Sequence, residues 1–376
     1  MKNCIFLTNI PAPYRVIFYN RLKKSFDFEV WYMKSEVKYR PNWFFNKKTM
    51  KHKYFINNGF FKKIGSFDFY FNPRLIFKIL INQPKNLILA TSWNDLDTVI
   101  ICILKRLKFI KSKITFWSEA NYLTNGARKN TFFKYHFRKF IYNSTNVQIS
   151  SGKMTELTFY NWGLKNNKYI RLPNTINEDL FDLKQGEENL RKNLEMPIFL
   201  IPARLIESIK GQINFFSKIP ISELRKSKFL LAGDGPDRQK LEKFIIKNNL
   251  KENIEILGHQ DYQSLKKIYS QVNCLCLPSF SDQSPLSLIE GLKMKLPLLV
   301  SNRCGNHFET VLNDINGLTF DPSSEKSVAT NYKSFIKKFN EFNQMGIKSH
   351  DIYNNKFQLD KVISEFIFDF NKYMKV

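Results

Sequence analysis

Short apolar runs alternate along the chain with longer amphipathic segments. In the first half the apolar runs predict strands, and these cover Cys4–Thr8, Asp27–Tyr32, Asn86–Ala90, Lys113–Trp117 and Asn146–Ser150. The segment Val16–Lys24 has apolar residues at helical spacing and predicts a helix after the first strand. A strand–helix–strand alternation is typical of a parallel sheet covered by helices.

The same alternation begins again after the middle of the chain. Predicted strands cover Pro197–Pro202, Lys228–Ala232, Ile254–Leu257, Cys274–Leu277 and Leu298–Ser301. Predicted helices cover Gly211–Lys218, Pro236–Asn248, Ser264–Ser270 and Leu286–Met294. A polar, acidic stretch between Asn174 and Glu195 separates the halves, so we expect two α/β domains. Apolar residues at every fourth position predict a last helix over Asp360–Tyr373.

Charge is distributed unevenly between these halves. The 376-residue chain has a net charge of +26. Residues 1–175 carry 31 basic and 8 acidic side chains, net +23, whereas residues 176–376 carry 28 and 25, net +3. This excess indicates an anionic partner for the first half: nucleic acid, anionic lipid or a phosphorylated substrate. Since 43% of the residues are hydrophobic, disorder as the main state is excluded.

Cysteine usage and the lengths of the apolar runs bear on location. The five cysteines are scattered and odd in number, which indicates a reducing cytoplasm rather than a disulfide framework. No apolar stretch approaches the ~20 residues of a membrane-spanning helix. The first apolar run is also too short for the core of a signal peptide. We therefore expect a cytoplasmic protein without an integral membrane anchor.

Polar residues follow several predicted strands of the second half, where the ligands of parallel sheets bind. Arg204 and Lys210 precede a predicted helix near Gly211, so these cations and free backbone N–H groups form either a diphosphate site or a solvated loop. Gly233 and Gly235 follow the next strand and permit close backbone approach, although such turns are common.

Two acids flank the start of the predicted helix Leu286–Met294. Asp282 is either a hydroxyl acceptor or a turn residue, and Glu290 either faces the same cleft or is solvated. Ser284 is predicted to be the N-cap, with Pro285 as the first helical residue and the next N–H groups free for an anion. His259 either contacts a bound ligand or lies in a surface turn.

In the first half, polar residues follow the strand that ends at Trp117. Glu119 either contacts a bound substrate or forms an ion pair with Arg128 or Arg138. Asn121 follows in the same loop. The histidines show no spacing typical of metal ligands, so we expect neither a metal nor another cofactor.

The order of the second-half motifs resembles the retaining glycosyltransferases of family 4, also called glycosyltransferase group 1. The matching residues are Arg204, Lys210-Gly211, Gly233-Asp234-Gly235-Pro236, Leu257-Gly258, Pro278-Ser279, the acid pair, Pro297 and Gly305 with Glu309. The resemblance implies the α/β fold GT-B, with two Rossmann-like domains facing across a cleft. It implies an acceptor-binding domain over 1–175, a nucleotide-sugar-binding domain over 176–358, and a helix over 359–376 that crosses back to the first domain.

The resemblance also implies residue roles, with a nucleotide-diphosphate sugar as co-substrate. Arg204 and Lys210 would neutralise the diphosphate, Glu290 would bind the ribose and Asp282 would lie by the donor sugar. The implied catalytic residues are Asp282, Glu119, Arg204 and Lys210. The implied donor-binding residues are Arg204, Lys210, Gly233, Gly235, His259, Ser284, Leu286 and Glu290. The implied acceptor-side residues are Pro13, Tyr14, Arg15 and Asn121. If Glu119 contacts the substrates, the resemblance implies that it either positions an acceptor hydroxyl or lies beside the donor sugar.

Departures from the family pattern open an alternative. Asp282 replaces the usual Glu, and Ser284-Pro285-Leu286 replaces Phe-Gly-Leu, so Pro285 removes one N–H donor. A catalytically impaired member is therefore one alternative, and a basic nucleic-acid-binding protein is another.

The main expectation is a retaining enzyme of bacterial surface polysaccharide synthesis with a lipid-linked saccharide acceptor. Basic and aromatic residues interleave through 34–63, 105–113 and 128–139. These stretches predict peripheral binding of the first domain to the anionic inner face of the cytoplasmic membrane.

Overall fold

The computed structural model describes residues 4–36, 46–64, 67–124, 132–164, 168–182, 191 and 194–374. The chain folds as two compact units, each with its own parallel sheet. The first unit comprises Met1–Tyr122, Lys129–Thr175 and Leu359–Val376, and the second comprises Leu123–Arg128 and Ile176–Gln358.

The first unit has a seven-stranded parallel sheet in the order β3-β2-β1-β6-β7-β8-β9, and β4 and β5 form a separate antiparallel pair. Its strands are β1 Cys4–Thr8, β2 Glu29–Tyr32, β3 Tyr54–Ile56, β4 Phe60–Ile64, β5 Phe67–Phe71, β6 Asn86–Ala90, β7 Lys113–Ser118, β8 Val147–Ser150 and β9 Tyr169–Arg171. Its first helices are α1 Pro13–Leu22, α2 Pro73–Asn82, α3 Leu96–Arg106, α4 Phe132–Asn143 and α5 Lys153–Asn161. Since β1 and β6 are buried along their whole length, their continuous apolar runs are explained.

The second unit has a six-stranded parallel sheet in the order β12-β11-β10-β13-β14-β15. Its strands are β10 Ile198–Ile201, β11 Lys228–Ala232, β12 Ile254–Gly258, β13 Cys274–Leu277, β14 Leu298–Ser301 and β15 Gly317–Phe320. Its helices are α6 Glu207–Lys210, α7 Gln212–Ser217, α8 Ile221–Leu224, α9 Arg238–Lys247, α10 Tyr262–Gln271, α11 Leu286–Lys293, α12 His307–Thr310, α13 Glu325–Lys337 and α14 Phe342–Lys356. Short 3₁₀ helices cover Glu178–Leu180 and Phe339–Glu341.

The last helix, α15 (Leu359–Met374), belongs to the first unit, although the residues before it belong to the second. Phe366 is fully buried, and its ring packs against those of Phe6 and Phe18 at centroid distances of 6.4 and 6.2 Å. Arg21 on α1 forms a bidentate ion pair with Asp360 at the start of α15. The aromatic contacts therefore make α15 part of the first core.

The predicted strands are present, with ends that differ by at most two residues. The helix predicted over Gly211–Lys218 begins at Gln212 instead, because Gly211 adopts a left-handed φ of 63° and separates α6 from α7. Within the described part of the chain, no helix is long and apolar enough to cross a membrane. The basic and aromatic residues predicted over 37–45 lie outside the described residues.

Replacing Phe366 with Ala tests the contribution of α15 to the first core. We expect the free energy of unfolding of this unit to fall by about 3–5 kcal/mol, because the change leaves a cavity among buried rings. Urea denaturation of the full chain measures it. Phe368→Ala on the same helix is the matched control, since Phe368 is 70% exposed and should change stability by less than ~0.5 kcal/mol. Equal effects of the two changes would contradict this packing role.

Candidate functional site

The carboxyl ends of β10, β11, β13 and β14 bring the predicted second-half residues to one edge of the sheet. These strands are neighbours in the order β11-β10-β13-β14, so the loops that follow them lie side by side. Arg204 and Lys210 follow β10, Gly233 and Gly235 follow β11, and Asp282 follows β13.

The central contact of this edge is an ion pair between the Lys210 ammonium and the Asp282 carboxylate. Both side chains are largely buried, at 20% and 15% exposure. Burial opposes the charge on Lys210, but the Asp282 carboxylate outweighs this effect and raises the pKa of the Lys210 ammonium. The loops are joined further because the Phe280 N–H donates to the Ile209 carbonyl at 2.8 Å. The structure therefore brings together two residues that are 72 positions apart in sequence.

Arg204 contributes a second positive charge at the same edge. Its side chain is exposed, and its charge disfavours the protonated form of Lys210. Its carbonyl accepts a hydrogen bond of 3.0 Å from the buried Gln212 side chain, which fixes the backbone from which the guanidinium projects. Two neighbouring cations of this kind can stabilise a diphosphate.

The free N–H groups predicted near Gly211 are already occupied. The Glu207 carboxylate accepts hydrogen bonds of 2.8 Å from the backbone N–H groups of Ile213 and Asn214 in the first turn of α7. The prediction that these backbone N–H groups are free for an anion is therefore wrong, because an acidic side chain from α6 caps the helix.

Gly233 and Gly235 allow close backbone approach between two loops of the protein itself. A Cβ at Gly233 would lie 2.1 Å from the Ala203 carbonyl oxygen, and a Cβ at Gly235 would lie 2.4 Å from the Leu205 carbonyl oxygen. The Leu205 N–H also donates a hydrogen bond of 3.1 Å to the carbonyl of Asp234, in the loop after β11. These glycines therefore shape the loop that carries Arg204.

Glu290 lies in the second turn of α11 and is partly buried. The Tyr269 hydroxyl on α10 donates a hydrogen bond of 2.9 Å to its Oε2. Burial raises the pKa of the Glu290 carboxyl to about 7, although the Tyr269 hydrogen bond lowers it. This carboxyl therefore changes its charge near neutral pH, and sequence reasoning did not identify the tyrosine that contacts it.

The start of α11 differs from its prediction. The helix begins at Leu286, Pro285 occupies the N-cap position, and no side chain caps the helix by a hydrogen bond. The prediction of Ser284 as the N-cap is therefore wrong by one position, because Pro285 retains an extended ψ of 124°. The Pro285 carbonyl accepts a hydrogen bond of 3.0 Å from the Asn306 side chain. Leu286 packs against the core of the second unit.

The loop after β14 completes this edge. Cys304 is fully buried and pairs with Asp282 in a parallel bridge, and the Gly305 N–H donates to the Asp282 carbonyl at 3.0 Å. Burial and the nearby Asp282 charge raise the pKa of the Cys304 thiol, so it remains protonated. His259 is exposed in the segment that follows β12. The described residues hold no group of three His, Cys, Asp or Glu side chains that could bind a metal ion.

The first unit has its own largely buried ion pair, between Arg15 and Glu119, at the carboxyl end of its sheet. Arg15 Nη2 lies 2.8 Å from Glu119 Oε1, and both side chains are largely buried, at 13% and 17% exposure. The Arg15 guanidinium also lies 4.2 Å from the Trp117 ring centroid and donates to the Ala90 carbonyl at 3.4 Å. Arg15 therefore joins the ends of β6 and β7.

Glu119 forms an ion pair, but with a partner that sequence reasoning did not name. Arg15 is 104 positions away and replaces the predicted Arg138, which is buried between the rings of Trp93 and Trp162. The other predicted partner, Arg128, lies outside the described residues.

The remaining acceptor-side residues flank this ion pair. Pro13 is the first residue of α1, and the Tyr14 ring centroid lies 5.9 Å from the Arg15 guanidinium. Asn121 is buried, at 1% exposure, in the loop after β7.

Comparison with known proteins supports the resemblance found in the sequence. Residues 184–351 match the family described as glycosyl transferases group 1. An uncharacterized glycosyltransferase of Methanocaldococcus jannaschii is 29% identical over 128 residues, which cover 30% of this chain and 36% of that protein. The chain spans about a third to a half of the length of the curated relatives that it matches.

Solved structures extend the likeness over nearly the whole chain. The Anabaena protein HepE in complex with UDP aligns with a TM-score of 0.73 at 12% identity, covering 98% of this chain and 100% of that one. WaaG, a glycosyltransferase involved in lipopolysaccharide biosynthesis, aligns with a TM-score of 0.63 at 12% identity, covering 96% and 97%. The predicted GT-B fold is therefore confirmed.

Replacing Glu290 with Gln tests the raised pKa through stability. The folded-state pKa of about 7 exceeds the value near 4.3 of an exposed glutamate, so the folded chain binds more protons between these values. The contribution of Glu290 to the free energy of unfolding is therefore full below about pH 4 and is lost as the pH rises through about 7. In urea denaturation, wild type should lose stability relative to Glu290→Gln across this window. Glu255→Gln, at a glutamate 51% exposed, is the control, and curves that stay parallel for Glu290→Gln would contradict the assignment.

Proposed function

Residues 184–351 match the family of glycosyl transferases group 1, and from this match we propose that the chain transfers a sugar from a nucleotide-diphosphate donor. The proposed acceptor is a lipid-linked saccharide used in building a bacterial surface polysaccharide. The proposed transfer retains the anomeric configuration.

The Lys210–Asp282 ion pair beside Arg204 carries this proposal. A sugar diphosphate has two groups to be recognised, an anion and a set of hydroxyls. Lys210 and Arg204 supply positive charge for the anion, and Asp282 supplies a carboxylate acceptor for sugar hydroxyls next to it. Glu290 offers a second carboxylate, which in this proposal binds the ribose hydroxyls.

In the proposed reaction, the bond between the anomeric carbon and the diphosphate oxygen breaks, and its electron pair stays on the diphosphate. The acceptor hydroxyl oxygen forms the new bond to the anomeric carbon on the face that the diphosphate leaves. The hydroxyl proton passes to the departing diphosphate. Lys210 and Arg204 stabilise the negative charge that develops there, so positive charge from a metal is not required in this scheme.

The Arg15–Glu119 ion pair is the proposed contact for the acceptor. The Glu119 carboxylate can accept a hydrogen bond from an acceptor hydroxyl, and Arg15 fixes its orientation through the 2.8 Å contact. In this role Glu119 orients the acceptor, and Asp282 remains the carboxylate beside the donor sugar.

A binding screen across UDP-, GDP- and dTDP-sugars tests the donor site. We expect one class to bind, and Arg204→Ala and Lys210→Ala each to weaken binding about 10- to 100-fold, because each change removes a charge-assisted contact to phosphate. Isothermal titration calorimetry measures the affinities. Lys247→Ala, at an exposed lysine at the end of α9, is the matched control and should bind as wild type does.

Two results would count against the donor proposal, and a third would count against sugar transfer alone. Absence of binding at millimolar concentration for every nucleotide sugar would contradict it, as would wild-type affinity in Arg204→Ala. Binding without any sugar transfer or donor hydrolysis would favour the catalytically impaired alternative instead.

Exposed aromatic residues support the proposed membrane contact of the first unit. Phe132 and Phe133 begin α4 and are 72% and 83% exposed, and Lys134 and Lys139 lie on the same helix. At the end of α3, Leu107 and Phe109 are 61% and 62% exposed beside Arg106, Lys108 and Lys111. Exposed rings next to cations fit an anionic bilayer, since the rings enter the interface while the cations contact headgroups. The unit's charge of +23 over residues 1–175 has the complementary sign.

Vesicle flotation tests this surface with the double variant Phe132→Ser/Phe133→Ser. We expect wild type to bind vesicles of anionic lipid and to be released by salt, and the double variant to bind at least tenfold more weakly, because two interfacial rings are lost. Phe368→Ser, at a similarly exposed ring on α15, is the control. Equal binding to neutral and anionic vesicles would contradict the proposal.

Salt-sensitive binding to generic DNA together with a failed nucleotide-sugar screen would favour the nucleic-acid alternative.

A further inference from the structure

We propose that Tyr269 is a positioning residue for donor binding, which holds the Glu290 carboxylate in the orientation that the nucleotide ribose requires. This inference rests on the proposed function, because it assigns Glu290 to the donor. It adds a residue on α10 that contacts no donor in the proposal and acts only through Glu290.

The hydrogen bond from Tyr269 occupies one of the two carboxylate oxygens of Glu290. Tyr269 donates to Oε2 at 2.9 Å, and its hydroxyl also lies 3.4 Å from the Ser287 carbonyl at the start of α11. Among the described residues, no hydrogen bond to Oε1 is found. Tyr269 therefore fixes the carboxyl plane through one oxygen and leaves the other to accept a hydroxyl.

The Tyr269 ring is itself held rigidly. It is fully buried and packs edge-on against Phe181, with ring centroids 5.7 Å apart. Arg191 joins the carboxyl ends of the two helices concerned, since it donates to the Tyr269 carbonyl at 2.6 Å and to the Met294 carbonyl at 2.8 Å. Because α10 and α11 are joined in this way, the hydroxyl and the carboxylate are held at hydrogen-bond distance.

The tyrosine also matches the chemistry of a carboxyl that titrates near neutral pH. Burial and the Glu290 charge raise the pKa of Tyr269 well above its ordinary value, so its hydroxyl stays protonated and donates. A donated hydrogen bond favours the ionised form of Glu290, which is the stronger hydroxyl acceptor. Loss of the Tyr269 hydroxyl should therefore leave Glu290 both less oriented and more often protonated.

The test is a double-mutant cycle of Tyr269→Phe and Glu290→Gln on the full chain. The ligand is UDP-glucose, or the nucleotide sugar that binds wild type most tightly in the screen above. We expect Tyr269→Phe to weaken binding about fivefold at pH 7, the size of one lost neutral hydrogen bond. In a Glu290→Gln background, Tyr269→Phe should change the affinity less than twofold, because its effect requires the carboxylate. Tyr269→Phe should raise the donor KM, leave kcat within about twofold, and move the pH dependence of that KM to higher pH.

Tyr332→Phe is the matched control. Tyr332 is also fully buried in the second unit, and its hydroxyl donates to Ser227 at 2.9 Å near the start of β11, at the opposite end of the strand from the site. Thermal unfolding of each variant shows whether it is folded. A merely structural role of Tyr269 would give similar losses with and without Glu290, and this result would overturn the inference.

Failure of the inference can be distinguished from failure of the proposed function. If wild type binds no nucleotide sugar, the donor proposal has failed and this inference falls with it. If wild type binds and Glu290→Gln weakens binding, but Tyr269→Phe binds as Tyr332→Phe does, the inference alone is overturned.

Discussion

The ion pair between Lys210 and Asp282 is the contact on which the candidate site of the second unit depends. It joins the loop after β10 to the loop after β13, and both side chains are at most 20% exposed. Removing one partner of a buried ion pair lowers the free energy of unfolding by about 3–5 kcal/mol, because the other charge stays desolvated. The surrounding backbone is arranged around this pair: the Phe280 N–H bonds to Ile209, and the Gly305 N–H bonds to Asp282. A ligand diphosphate entering here would meet a lysine whose position is already fixed, so less ordering is needed on binding.

The first unit also has a largely buried ion pair between two loops, formed by different residues. Arg15 and Glu119 form a largely buried ion pair at the carboxyl ends of β6 and β7, and the guanidinium also covers the Trp117 ring. In each unit a cation from the segment after one strand meets a carboxylate from the segment after another. Parallel sheets favour this arrangement, because all of their strand ends of one kind lie at one edge. Each of these two ion pairs therefore fixes the orientation of its own side chains. Because each pair is neutral as a whole, it adds little net charge to the edge of its sheet.

The strands were predictable from sequence because a parallel sheet buried on both faces needs continuous apolar runs, as β1, β6 and β13 have. The edge strands β3 and β9 have only three residues each, which is shorter than the apolar runs of about four to eight residues that predict a strand. Local signals also failed where tertiary contacts decide. Pro285 suggests a helix start, yet its extended ψ of 124° moves the start of α11 to Leu286.

Sequence reasoning could name candidate site residues, but it could not name the residues that contact them. Glu119 pairs with a residue 104 positions away, and Tyr269 meets Glu290 across 21 positions and two helices. No periodicity encodes such pairs, since they depend on how the helices and loops pack.

The net charge of +26 combines two different features of the chain: a few cations placed at the candidate phosphate site, and a dispersed positive charge over the first half. The second half has a net charge of only +3 and still holds Lys210 and Arg204 together at one sheet edge. Placement therefore makes the candidate phosphate site, because two cations at a sheet edge act over a few ångströms, whereas distant lysines are screened within ~10 Å at ordinary salt. The excess of +23 over residues 1–175 is spread along that half of the chain, and exposed lysines such as Lys108 and Lys111 contribute to it. A dispersed excess of this kind acts through a surface potential, which an extended anionic partner feels far more strongly than a single diphosphate does.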